Sequence, residues 1–377
     1  MRTARRLYGK SYGDLLRRFL YLCGKAERYS PREAFLWDLL GPKFADDELD
    51  RAMSKTALVH LQQRLNPPDA AALTEDKSIF YGHCQAAGLP IPSLLAVIGP
   101  QLGWTAEGEM LRSDHDWASY FDTLSAPDIV IKPALGVYAQ GVRVLRRQGA
   151  RWLDASREAK TSDELVAELR SDAGYDRFVV QERAFPHPRL SELSASDYLQ
   201  TVRIITVMSE GQGAEIIFAF LKVIGSTASI DNFSNGATGN FLAPIDLHTG
   251  RLLDALAARP SGVGLQSVSH HPATGKALAG FEVPHWAGAC ALARKAAVSF
   301  LPLMTIGWDI ALTPAGPLLI EGNAWWDPIL TIDKRMHVFR DYARRHLEPD
   351  AFPVTAAPAV ARAGGQAAAH SAAGPRS

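Results

Sequence analysis

Cysteine is scarce, and the three present, Cys23, Cys84 and Cys290, stand far apart with no C-x-x-C spacing. This excludes a disulfide framework and a zinc site of the usual spacing, and fits a reducing compartment with the thiols as buried packing residues. No apolar run reaches the roughly 18 residues that cross a bilayer, and the first residues hold no uninterrupted apolar core followed by a small-residue cleavage site. A cytoplasmic location is therefore expected. An excess of one charge sign is missing too: Lys plus Arg number 40 and Asp plus Glu number 40, which removes any global electrostatic case for a nucleic-acid partner. No serine or cysteine nucleophile constellation such as G-x-S-x-G occurs, so covalent catalysis by a side chain is not indicated. What is present is an ordinary globular composition, 47% hydrophobic over 377 residues, enough for a large core in two or three subdomains.

Locally the charge is uneven. Up to residue 28 the bases are Arg2, Arg5, Arg6, Lys10, Arg17, Arg18, Lys25 and Arg28 against Asp14 and Glu27, with Leu7, Leu15, Leu16, Phe19, Leu20 and Leu22 interleaved. A basic amphipathic segment of this kind either packs on the main domain with its basic face in water, lies on an anionic membrane surface, or docks on a partner. Ser30-Pro31 with Glu33 is a helix start, apolar residues at helical spacing run from 44 to 65, and Pro67-Pro68 ends this N-terminal helical region, 1–68. A helix from Asp76-Lys77 through Cys84, a Gly-Leu-Pro-Ile-Pro turn and a strand at 93–98 open the segment 69–125, which closes with a loop and a helix.

Residues 307–327, GWDIALTPAGPLLIEGNAWWD, read as two apolar strands around a Pro-Ala-Gly-Pro turn. With the turn centred on Ala315, Asp309 falls opposite Glu321, and Asn323 shares the face of Glu321. Two carboxylates and an amide oxygen on one sheet face suit Mg²⁺, which takes one or two protein carboxylates and leaves other positions to water and phosphates. On any one hairpin such acids are more often solvated; here other segments point the same way. A strand at 128–133 delivers Lys132 and is followed by a turn holding Gly136 and Gly141, an arrangement that presents backbone N–H groups and a point charge to phosphates. The strand at 177–182 ends in Gln181-Glu182. Arg203 sits among β-branched residues in TVRIITV, where it either points to water or holds an anion. Lys222 lies near the end of the strand at 215–223, and DNFSNGATGN at 231–240 is a polar glycine-containing loop.

In this order the parts resemble the ATP-grasp superfamily, and in detail its sugar-transfer-associated family. The resemblance rests on Lys77, IKPALGVYAQGV at 131–142, VVQE at 179–182, TVRIITV at 201–207, DNFSNGATGN at 231–240, IDLHTG at 245–250 and WDIALTPAGPLLIEGN at 308–323, and covers residues 70 to 340. It implies an α+β ATP-grasp fold in which two α+β subdomains, 126–185 and 186–348, grip ATP between antiparallel sheets. It further implies that Lys132 and Lys77 hold phosphates and that Gln181-Glu182 receives the adenine amino group largely through backbone atoms. Asp309, Glu321 and Asn323 would hold Mg²⁺, and Arg203 and Lys222 would stabilise the transferring phosphoryl group. Glu192 and His187 are the candidates for the ribose.

The implied activity is an ATP-dependent carboxylate–amine ligase acting through an acylphosphate. Its partners would be a small-molecule or glycan-linked carboxylate and an amine acceptor, in surface-polysaccharide or glycoconjugate assembly, with a glycosyltransferase as a further partner. A phosphotransferase acting on a hydroxyl and a non-catalytic ATP-binding module are the rival readings. The turn departs from the superfamily at Val137-Tyr138-Ala139-Gln140, where Ala139 restricts φ and stiffens the loop. Asp231, Asn232 and Asn235 either face the acceptor, nucleotide or metal, or form an Asx-rich surface turn. Trp325-Trp326 is either packing or a stacking platform, and His270-His271 is too isolated for a ligand pair. The Ala/Gly/Pro-rich tail, 349–377, is expected to be disordered.

Overall fold

The computed structural model describes residues 1–24, 29–42, 44, 53–136, 140–154, 156–209, 211–225, 231–327 and 336–347. Ala139 and the tail 349–377 lie outside the described residues. The helices are α1 Arg2–Tyr8, α2 Tyr12–Gly24, α3 Pro31–Leu36, α4 Lys55–Leu65, α5 Ala72–Glu75, α6 Lys77–Ala86, α7 Asp114–Thr123, α8 Ser162–Arg170, α9 Pro188–Ser194, α10 Trp286–Ser299 and α11 Met336–Leu347. Ser30 caps α3 in a reciprocal box with Glu33, and Asp76 accepts from the N–H groups of Ser78 and Ile79 to start α6.

Two wholly antiparallel sheets carry the fold. The smaller-domain sheet contains β1 Leu94–Ile98, β2 Gly103–Thr105, β3 Met110–Leu111, β4 Asp128–Pro133, β5 Arg143–Gln148, β6 Arg151–Leu153, β7 Ala159–Lys160 and β8 Phe178–Glu182, in the order β3-β2-β1-β8-β4-β5-β6-β7. Strand β1, which the sequence placed in the segment before this subdomain, pairs with β8 and so joins β2 and β3 to the same sheet. The larger-domain sheet contains β9 Thr201–Ser209, β10 Gly213–Val223, β11 Phe241–Pro244, β12 Ala255–Ala258, β13 Leu265–Val268, β14 Thr305–Thr313 and β15 Gly316–Asn323, in the order β13-β12-β11-β10-β9-β14-β15.

Each face of the larger sheet buries a different core. Helix α10 covers one face, where Val202, Ile204, Leu221, Ile310 and Leu319 pack with Ala289, Leu292 and Ala296. On the other face Ile205, Val207, Phe218, Phe220 and Trp326 pack with Leu15 and Leu22 of α2, Leu58 and Leu65 of α4, and Phe339 of α11. The N-terminal helical region is therefore built into the larger domain. Its attachment is specific: the buried Gln62 donates to Trp326 O at 2.9 Å, and the Asn66 amide bridges Thr305 O and Ala324 O at 2.8 and 3.0 Å. The part of this second face toward the smaller domain is left open.

Candidate active site

A cavity of about 620 Å³ opens there, lined by β4, β5 and β8 of one sheet, by β9, β10, β14 and β15 of the other, and by α4 to α6. The strands fix its charged wall by register. Asp309 pairs with Arg203 on one side and with Glu321 on the other, while Arg203 stands opposite Phe220, so Lys222, two residues on, shares their face. Arg203 donates to both Asp309 carboxylate oxygens at 2.5 and 2.8 Å, and Lys222 Nζ donates to Oδ2 at 2.9 Å. Burial alone would raise the Asp309 carboxyl, but Arg203 and then Lys222 outweigh it and hold the group below the ordinary carboxylate range. Burial works against the Arg203 charge, and Asp309 more than restores it. The alternative left open for Arg203 is thus resolved: it faces the cavity, and its anion is supplied by the fold.

The turn of the β14–β15 hairpin is one half-step from the sequence expectation. Thr313 pairs with Gly316, which places the turn at Pro314-Ala315, and a bulge between Asp309/Glu321 and Ile310/Leu319 adds Ile320 as an extra residue. Without the bulge Glu321 would follow Leu319 into the apolar core; with it, Leu319 stays buried and Glu321 faces the cavity beside Asp309. The Ile320 carbonyl accepts from Tyr81 OH at 2.6 Å.

The opposite wall carries the other cations. Lys77, at the start of α6, donates from its backbone N–H to Ala134 O at 2.9 Å and from Nζ to Gly136 O at 2.8 Å, and its Nζ lies 3.2 Å from Glu321 Oε1. One residue thereby ties the glycine turn to the β14–β15 hairpin. Lys132, near the end of β4, reaches Tyr81 OH at 3.3 Å, and its Nζ lies 5.7 Å from the centre of that ring. Burial, reinforced by the Lys77 charge and only partly offset by Glu321, pulls the Lys132 ammonium down to about 8. Tyr81 is itself pushed up by burial and by Glu321, so its hydroxyl remains a proton donor.

The remaining predicted residues divide. Gly136, Gln181, Glu182, Asp231, Asn232 and Asn323 line the cavity. The Glu182 N–H donates to Ser93 O at 2.9 Å, so it is committed to the sheet. Gly141 does not line the cavity, although Gln140 and Val142 do; its φ of 70° and the closeness of a hypothetical Cβ to Pro133 and Tyr175, 2.8 and 2.9 Å, give it a backbone role. Asp231 Oδ2 accepts from the N–H and hydroxyl of Thr201 at 2.7 and 2.6 Å, and burial raises its carboxyl. Asn232 Oδ1 accepts from Ser234 N–H at 3.1 Å, forming an Asx turn, and Asn235 in the same loop is left-handed, with φ of 55°.

Glu192 and His187 are outside the cavity lining. Glu192 pairs with Lys276 at 2.9 Å, and His187 caps α9 and meets His285 edge-on. Trp326 is 1% exposed and mainly a core residue, whereas Trp325 borders the cavity and donates to Glu75 at 2.5 Å. His271 is buried against Ile224 O and does not pair with His270.

Tyr81, Lys55, Arg183 and Thr201 line or brace the site without having been singled out from sequence. For Tyr81 a signal existed, its i+4 spacing from Lys77 on one helix face. Lys55, paired with Asp327 at 2.6 Å, and Arg183 carry no local pattern that marks them.

Among the described residues no three His, Cys, Asp or Glu side chains form a metal cluster. The oxygen donors are Asp309, Glu321 and Asn323, few enough that a cation would need phosphate or water oxygens as well, which matches the habit of Mg²⁺. Asp309 is already bonded by Arg203 and Lys222, but a carboxylate offers about four lone-pair sites, so the donor set fits the ion.

The chain resembles several solved structures. D-alanyl-alanine synthetase A from Vibrio cholerae matches at 12% identity and TM-score 0.43, over 74% of this chain and 67% of that one. N5-carboxyaminoimidazole ribonucleotide synthetase in its ADP complex matches at 13% and 0.40, over 74% and 53%. Phosphoribosylamine–glycine ligase from Thermotoga maritima matches at 12% and 0.40, over 71% and 52%. The chain thus spans about half to two-thirds of the length of these proteins. No curated protein matches the sequence. The family described as sugar-transfer associated ATP-grasp matches residues 57–334, which take in both sheets and the whole charged wall, and the chain belongs to that family.

Proposed function

We propose that this protein is an ATP-dependent carboxylate–amine ligase that works through an acylphosphate. The observation that carries this reading is the convergence of Lys77, Lys132, Arg203 and Lys222 with Asp309, Glu321 and Asn323 in one cavity between two antiparallel sheets. A triphosphate brings about four negative charges, and Lys77, Lys132, Arg203 and Lys222 on two facing walls are of the right order to receive it. Lys132 and Lys77 bind the phosphates, the latter while holding the turn at Gly136. Asp309, Glu321 and Asn323 would hold Mg²⁺, which supplies charge neutralisation at the phosphates when bound. Arg203 and Lys222 face the γ-phosphoryl end, where the substrate carboxylate attacks phosphorus and ADP leaves. An amine then attacks the acyl carbon, the C–N bond forms, and phosphate departs. Membership of the sugar-transfer associated ATP-grasp family supports a setting in glycoconjugate or surface-polysaccharide assembly.

The test is a hydroxylamine trap. Protein, Mg-ATP and pooled amino acids and sugar acids are incubated with hydroxylamine, and ADP, phosphate and hydroxamate are measured together. The ligase predicts all three in equal amounts. A phosphorylated hydroxyl product with ADP and no free phosphate would shift the reading to a phosphotransferase.

A further inference from the structure

Helices α1 and α2 present an apolar stripe that the fold leaves uncovered. Of the exposed large apolar side chains among the described residues, Met1, Leu7, Tyr12, Leu16 and Leu20 all fall in the first 20 positions. Tyr12, Leu16 and Leu20 recur every four residues along α2, so they form one line on its surface, distinct from the line of Leu15 and Leu22 that enters the core. Tyr12, Leu16 and Leu20 are 48, 51 and 59% exposed, which for a leucine pair one turn apart needs a covering partner more than a solubility account.

The charge around the stripe says what that partner is. Over residues 1–24 the bases are Arg2, Arg5, Arg6, Lys10, Arg17 and Arg18, and Asp14 is the single acid, in a chain whose overall charge is zero. Arg18 turns inward to Leu39 O and Phe44 O, at 2.7 and 2.5 Å, whereas Arg2, Arg5, Arg6 and Arg17 are exposed. The surface is also held firmly: Tyr8 donates to Asp38 at 2.6 Å, and the other Asp38 oxygen accepts from Leu265 N–H in β13 at 3.1 Å. We infer that this face docks on an anionic membrane surface, with Tyr12, Leu16 and Leu20 entering the boundary between headgroups and acyl chains and the arginines contacting lipid phosphates. One planar partner satisfies both chemistries at once. A second copy of the chain does not, because a two-fold contact would set the same arginines against each other. No helix among the described residues is long and apolar enough to cross a membrane, so the contact is peripheral.

Flotation of the full chain with vesicles tests this. Vesicles of phosphatidylglycerol and phosphatidylcholine in equal parts should carry the protein, and phosphatidylcholine alone should bind at least about tenfold less. Raised salt should weaken the anionic binding. The double substitution Leu16→Asp/Leu20→Asp changes only exposed positions and should cut vesicle binding at least about tenfold while the melting temperature stays within a degree or two. Arg6→Glu/Arg17→Glu should do the same through charge. The inference is overturned if the wild-type chain does not float with anionic vesicles, if it floats equally with neutral ones, or if Leu16→Asp/Leu20→Asp floats as well as wild type. A solution dimer dissolved by those substitutions, without vesicle binding, would assign the face to self-association.

Discussion

Lys132 should take up a proton when nucleotide arrives. Burial and the Lys77 charge bring its ammonium down to about 8, against an ordinary 10.5. A triphosphate placed beside it returns the counter-charge that burial removed, so the bound lysine titrates near or above its ordinary value. The uptake per site is then about half a proton at pH 8, about nine-tenths at pH 9 and about a tenth at pH 7. Calorimetric titration of a non-hydrolysable ATP analogue, in buffers of different ionisation enthalpy at each pH, measures that number directly. Lys132→Met keeps the aliphatic stem, removes the charge, and should abolish the uptake while weakening binding by about tenfold or more. The same shift has a stability side. The folded pKa lies below the unfolded one, so the charged lysine destabilises the fold at neutral pH, and the penalty is relieved as pH rises from about 8 toward the ordinary value. Taken in full the shift corresponds to at most roughly 3 kcal/mol, so Lys132→Met should melt a few degrees higher than wild type at pH 7. Equal proton uptake in wild type and Lys132→Met, or none at pH 9, would refute the assignment of a depressed lysine to the phosphate site.

Glu321→Gln should leave the unfolding free energy within about 1 kcal/mol of wild type, since its ion pair with Lys77 is partly solvated, yet reduce ATP turnover at least about a hundredfold; normal turnover in the folded variant would remove Glu321 from the site. Asp309→Asn should cost about 3–5 kcal/mol, read by chemical denaturation, because it leaves Arg203 and Lys222 buried without their anion. The Asp309 contribution is full above the ordinary carboxylate range and is lost as pH falls through the depressed folded value, so the wild-type protein should lose more stability than Asp309→Asn on acidification. Gly141→Ala forces a side chain into a left-handed φ against Pro133 and Tyr175, and should weaken nucleotide binding without Mg²⁺ dependence, as calorimetry with and without the ion would show.

The parts of the site that come from strand alternation were legible in the sequence. Asp309, Glu321 and Asn323 share a face because apolar alternation and a proline-flanked turn constrain a short hairpin strongly. The pairing was nonetheless reached through a turn centre that the structure moves by half a residue, and the bulge at Ile320 restores it. A bulge of this kind answers to tertiary demands, here a core position for Leu319 and an acceptor for Tyr81, and no local residue pattern announces it. Arg203 was ambiguous for a different reason: one arginine in a strand does not reveal its partner, and the partner lay 106 positions away on a neighbouring strand. Lys77 was recognised by resemblance, but its grip on Ala134 and Gly136 belongs to the packing of α6 on β4. Glu192 and His187 were drawn to the ribose by type and order in the chain, and both turn out on α9 or its cap, away from the cavity lining. The pairing of β1 with β8 was unreadable because antiparallel strands some 80 residues apart leave no periodicity that links them.

The charge arrangement accounts for how several buried or half-buried cations can line one cavity of a stable protein. Lys77, Lys132, Arg203 and Lys222 converge on the cavity, and without counter-charge they would repel one another at low dielectric. The fold answers in three ways. Asp309 neutralises Arg203 and Lys222, Glu321 neutralises Lys77, and Lys132, which has Tyr81 but no carboxylate in hydrogen-bonding contact, lowers its affinity for a proton. On the function proposed above, a triphosphate would reverse each response. Phosphate oxygens would take over the donors of Arg203, Lys222 and Lys77, lone pairs on Asp309 and Glu321 would become available to a divalent cation, and Lys132 would regain its proton. The carboxylates that look like metal ligands in the sequence and serve as counter-ions in the structure would then be the same groups in two roles. This is why removing Asp309 should harm the fold, whereas removing Glu321, partly open to the cavity, should not.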